Sequence, residues 1–80
     1  MEIKILGTGC PKCKKLEEIV REITKDFDPQ PQITKVEDIS DILSYGIINT
    51  PALVINEKVV LSGRIGSRDE IKEIILKHQI

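Results

Sequence analysis

Apolar and polar positions change period several times along the chain, and each change marks an element. In "EIKIL", residues 2–6, charged and apolar residues alternate at period two, which predicts a short strand running into a flexible turn at Gly7-Thr8-Gly9. From Pro11 the spacing lengthens: Leu16, Ile19, Val20, Ile23 and Phe27 form one apolar stripe at helical spacing, and the pattern predicts a helix of about four turns. Pro11 suits its first position, because the missing N–H is no loss there. Asp28-Pro29 and Pro31 end it.

"QITKV", residues 32–36, is a second strand. Asp38 and Asp41 then cap a brief helix carrying Ile39, Ile42 and Leu43. After Gly46 the apolar run "IINTPALVI" is broken by Thr50-Pro51, and "NEK" separates "ALVI" from "VVL" as the turn of a hairpin. Ser67 and Glu70 make a capping box that opens a last helix with Ile71, Ile74 and Ile75 as its buried stripe.

The order is therefore β-α-β-α-β-β-α in an α/β protein. The first two strands, joined through a helix, are expected to be parallel, and the last two antiparallel, which gives a four-stranded mixed sheet flanked by three helices. A chain of 80 residues buries one small core, so residues 1–80 are expected to form a single domain.

Composition narrows the function. Hydrophobic residues make up 40% and charged residues 31%, a balance for folding without help rather than for disorder. Twelve Lys and Arg against thirteen Asp and Glu leave a formal net charge of −1, so no basic field exists to bind a nucleic-acid backbone. Tyr45 and Phe27 are too few for base stacking and are expected to pack in or at the edge of the core. No segment approaches the roughly 20 apolar residues that cross a bilayer, and "MEIKIL" is too short and charged for a secretory signal. The expectation is a cytoplasmic protein, a monomer, that engages neither nucleic acid nor membrane.

Two cysteines in a reducing compartment disfavour a permanent structural disulfide and favour a redox or metal-binding pair. Cys10 falls just before the first helix and Cys13 in its first turn, a spacing that lets two sulfurs reach bonding distance without backbone strain. Free N–H groups and the positive end of the helix dipole favour a thiolate at Cys10. Lys12, Lys14 and Lys15 add positive charge, so the Cys10 thiol is expected to ionise below the roughly 8.5 of a free cysteine and to act as nucleophile. Cys13, one turn inside and less exposed, is then the resolving thiol.

The stretches "GTGCPKC" after the first strand, "NTPALVI" into the third and "VVLSGRIGSRDEI" into the last helix resemble the thioredoxin superfamily, in particular its small redox-disulfide proteins. The resemblance spans essentially the whole chain. It implies a thioredoxin-like fold, thiol–disulfide oxidoreductase activity on protein disulfides without a bound cofactor, and a separate reductase as electron donor. It also implies that Pro51 is a cis-proline facing the dithiol and that the main chain of Thr50 pairs with substrate, while Pro11 and Lys12 edge the same groove. A typical thioredoxin resembles "WCGPC" where this chain has Gly9 before its "CPKC", and it carries an additional N-terminal strand and helix. Glutaredoxins match in size and order but resemble "CPYC", with a tyrosine where this chain has Lys12.

Other chemistries compete for the pair. An intramolecular zinc site needs four ligands, and beyond the two cysteines the chain offers only the distant His78, expected as a solvated residue near a helix C-terminus. Two thiolates suffice for a soft ion such as Cu(I), but copper-transfer domains usually end on a strand, whereas this chain is expected to end on a helix; a further alternative is a thioredoxin-like scaffold whose pair carries a soft metal or docks a partner without turnover. A glutaredoxin-like variant would receive a glutathione carboxylate at the N-terminus of the last helix, near Ser67 to Asp69, where Asp69 and Glu70 oppose an added anion.

Overall fold

The computed structural model describes residues 1–63 and 65–78. Arg64, inside the segment that leads to the last helix, and Gln79 and Ile80, at the end of the expected 1–80 domain, lie outside them. The elements are β1 (Glu2–Leu6), α1 (Pro11–Thr24), β2 (Gln32–Val36), α2 (Ile39–Ser44), β3 (Ala52–Ile55), β4 (Lys58–Ser62) and α3 (Arg68–His78). They form one four-stranded sheet in the order β2-β1-β3-β4. β1 pairs with β2 in parallel and with β3 antiparallel, and β3 pairs antiparallel with β4.

β3 is buried along its whole length, which is why "ALVI" reads as an unbroken apolar run, whereas β1 keeps Glu2 and Lys4 only half-buried on the face opposite α1. Ile3 and Ile5 of β1 with Leu53 and Ile55 of β3 meet Leu16, Val20 and Ile23 of α1 and Ile71 and Ile75 of α3. On the opposite face Leu6, Ala52 and Val54 meet Ile42 of α2 and Ile47. A bulge in β4 interrupts the β3–β4 register between Leu53 and Val54, and both Val60 and Leu61 join the α1 side of the sheet.

Three local expectations are revised. α1 ends at Thr24, so Phe27 lies beyond the helix. The Thr24 hydroxyl bonds back to the Val20 carbonyl at 2.9 Å, and a turn closed by the Phe27 N–H on the Thr24 carbonyl still returns the ring to the core. The β3–β4 turn is the two-residue Asn56-Glu57, both at positive φ, and Lys58 already belongs to β4. In α2 only Ile42 is buried; Ile39 and Leu43 face outward, 64% and 57% exposed.

Two caps form as their residues dictate. The Asp38 carboxylate accepts from the N–H groups of Ser40 and Asp41, and the Ser67 hydroxyl accepts from the Glu70 N–H at 3.1 Å. Tyr45 is half-buried against the α2-side cluster, and its hydroxyl accepts from Lys4 Nζ at 2.8 Å. The same ammonium donates to Glu57 at 2.6 Å, and these contacts raise the Lys4 pKa, with the Glu57 hydrogen bond the largest cause.

Candidate functional site

Cys10 is the N-cap of α1. Its backbone is extended (φ −67°, ψ 162°), and its carbonyl accepts the first helical hydrogen bond, from the Lys14 N–H at 3.0 Å. Pro11 takes the first helical position and leaves no donor unpaired there. The Cys10 sulfur does what a cap side chain does: it accepts from the N–H of Cys13, 3.2 Å away.

Cys10 and Cys13 are joined as a disulfide, with their α-carbons 5.1 Å apart. The two residues are unequally placed. Cys10 is half-buried at the surface, whereas Cys13 is only 5% exposed and packs inside the first turn of α1. Lys12, Lys14 and Lys15 are all exposed around the pair, so the helix N-terminus and three ammonium groups share one end of the molecule.

Thr50 and Pro51 are forty residues away in sequence and reach this end through the sheet. β1 and β3 pair antiparallel with Leu6 opposite Ala52, so the next residues along, Gly7 and Pro51, fall beside each other. The Thr50–Pro51 peptide bond is cis. Pro51 is buried and its carbonyl accepts from the Gly63 N–H at 3.0 Å, while Thr50 is half-buried. Among the described residues no backbone hydrogen bond engages the N–H or carbonyl of Thr50. Cys10, Cys13, Thr50 and Pro51 are thereby gathered at one end of the sheet, with Pro11 and Lys12 exposed at its edge.

Sequence reasoning missed what lies behind Cys13. A recess of about 90 Å³ opens there, lined among others by Ile5, Gly7, Cys13, Glu17 and Lys35. Glu17 accepts from Arg21 at 2.8 Å and lies 3.7 Å from Lys35, and these cations, the Arg21 hydrogen bond first, hold its carboxyl below the usual carboxylate range. No periodicity marks Glu17 and Lys35 as neighbours, because one is on α1 and the other on β2. Among the described residues no three His, Cys, Asp or Glu side chains are grouped to hold a metal ion, and no helix is long and apolar enough to cross a membrane. His78 is at the far end of α3, its Nδ1 2.9 Å from the Ile74 carbonyl.

A helix-capping dithiol opposite a proline-led strand can exchange disulfides, and comparison with known proteins points the same way. The family model described as "Thioredoxin domain" matches residues 1–76. A thioredoxin of Methanothermobacter thermautotrophicus is 35% identical over 75 residues, covering 94% of this chain and 97% of that protein. A thioredoxin of Methanocaldococcus jannaschii is 37% identical over 71 residues, covering 89% of this chain and 81% of that one. The chain belongs to the thioredoxin family.

Proposed function

We propose that this thiol–disulfide oxidoreductase reduces disulfides of other proteins, with Cys10 as the attacking sulfur and Cys13 as the resolving one. The observation that carries the assignment is the inequality of the two cysteines. Cys10 is the more exposed and caps α1, where the Cys13 N–H and the helix dipole both stabilise a thiolate. Cys13 is too buried to meet a large substrate first.

The Cys10 thiolate attacks one sulfur of the substrate disulfide; that bond breaks, and the other substrate sulfur leaves as a thiolate and is protonated. Cys13 then loses its proton and attacks Cys10 Sγ. The mixed disulfide breaks, the second substrate sulfur leaves with the electron pair and takes up a proton, and Cys10–Cys13 remains oxidised. Two electrons pass to the substrate, and a separate reductase returns them.

The Thr50 main chain, which makes no backbone hydrogen bond among the described residues, is suited to pair with an extended substrate segment, and Pro51 keeps that segment next to the dithiol. Pro11 and Lys12 form the exposed edge of the same groove. A reducing compartment such as the cytoplasm fits a pair that must be kept cycling, and one subunit carries every residue of the proposed site, so a monomer suffices. Glutathione as reductant is less favoured, since the first turn of α3 carries Asp69 and Glu70.

The test uses single serine variants and a disulfide-bonded protein substrate. Cys13→Ser is expected to accumulate a covalent mixed disulfide through Cys10, and Cys10→Ser to lose disulfide reduction. Full activity in Cys10→Ser, or trapping through Cys13, would overturn the assignment.

A further inference from the structure

The turn before the dithiol contains two glycines that are there for different reasons. Gly9 has a φ of +89°, a conformation that favours glycine, and the nearest atom to a side chain there is a Glu37 oxygen at 3.7 Å. Gly7 has no left-handed φ, so that reason for a glycine does not apply to it. Space is what it lacks. A methyl group at Gly7 would fall on Cys13 Sγ and within 3.0 Å of Cys13 Cβ. The backbone has little room to retreat, because the Gly7 N–H is bonded to the Val36 carbonyl at 2.9 Å as a continuation of the β1–β2 ladder.

We propose that Gly7 is a positioning residue for the resolving sulfur: its missing side chain lets Cys13 Sγ close on Cys10, and it thereby sets the redox equilibrium of the pair. The inference rests on the reading of Cys10–Cys13 as a cycling dithiol. In the disulfide, Cys13 Sγ is tied to Cys10 and cannot leave the place that a methyl would overlap. In the dithiol, Cys13 χ1 is free to change rotamer, and the recess beside Gly7 gives the thiol somewhere to go. A methyl at this position therefore penalises the oxidised form more than the reduced form. The contact with Cys13 Cβ persists in both and adds a cost common to the two. The resolving step is also affected, since the Cys13 thiolate must reach that same place to displace the substrate sulfur from Cys10.

Gly7→Ala and the wild-type protein are equilibrated side by side in graded thiol–disulfide buffers. The expected result is at least a tenfold smaller equilibrium constant for closing the Cys10–Cys13 disulfide, which for a two-electron couple raises the potential by about 30 mV. A merely structural role would lower the melting temperature of both redox forms and leave the potential in place. That is the outcome expected of Gly46→Ala, where φ is +77° and nothing lies within 4 Å. A Gly7→Ala potential equal to that of wild type overturns the inference alone. A wild-type pair that forms no reversible disulfide overturns the redox reading and this inference with it. Should Gly7→Ala fail to fold, it is combined with Cys13→Ala, which removes the sulfur; a cooperative urea transition in the double variant supports the proposal, and an unfolded double variant overturns it.

Discussion

The backbone N–H of Cys13 donates to the sulfur of Cys10 across 3.2 Å, so the residue proposed to resolve the mixed disulfide also holds the sulfur proposed to start it. The contact follows from the spacing: an N-cap side chain reaches the N–H three residues on, and here the cap is a thiol.

A thiolate at that cap is favoured by the N–H, the dipole and the neighbouring lysines. In the reduced protein Cys10 is expected to be alkylated by iodoacetamide with a half-maximal rate at a pH below about 8.5, the free-cysteine value, while Cys13 stays unmodified until unfolding. Mass spectrometry of samples quenched across the pH range checks both statements. A midpoint at or above the free value would count against Cys10 as nucleophile.

Glu17 gives the fold a measurable acid dependence. Arg21 and Lys35 keep its carboxyl below the usual range, so the folded protein holds that proton less tightly than the unfolded chain does. The stabilisation is complete above the ordinary carboxylate range and is lost as pH falls through the depressed folded value. Glu17→Gln is expected to cost no more than about 1 kcal/mol at neutral pH, as partly exposed pairs do, with the difference from wild type vanishing in strong acid. Urea unfolding of both proteins at the two pH values reads it directly.

α2 offers a contrast within a single turn. Ile42, 4% exposed, fills the cluster of Leu6, Ile47, Ala52 and Val54, so Ile42→Ala is expected to lower stability by about 2–5 kcal/mol. Ile39→Ala and Leu43→Ala, on the outward face, are expected to stay within about 0.5 kcal/mol of wild type. Equal effects at Ile39 and Ile42 would contradict the packing described.

Tyr45→Phe removes the acceptor that Lys4 uses on the α2 face while keeping the ring. A loss of about 1 kcal/mol is expected, the usual worth of one such hydrogen bond, with no change in the rate of disulfide exchange. Chemical denaturation and a protein-disulfide reduction assay separate the two effects.

Local rules made much of this legible before any coordinates. Period-two alternation in "EIKIL", the helical stripe from Leu16 to Ile23, Pro11 behind Cys10 and the caps at Asp38 and Ser67 depend on neighbours a few residues apart. The order of elements follows from them, and so does the placing of Cys10 ahead of a helix N-terminus. Thr50 and Pro51 stand out by family resemblance and not by periodicity.

What remained hidden depends on contacts between distant segments. Ile39, Ile42 and Leu43 are equivalent in a six-residue helix until the sheet chooses the inward face. Phe27 fits the stripe of α1 by spacing, yet it reaches the core from a turn. Gly7 reads as a flexible turn residue; only the pairing of β1 with β2 and the seat of α1 over the sheet bring the Cys13 sulfur to where a side chain would stand. Periodicity and capping are local, so the elements and the dithiol are legible in the chain alone. Strand register and helix packing join residues that the chain holds far apart, and they select the side chains that face that dithiol.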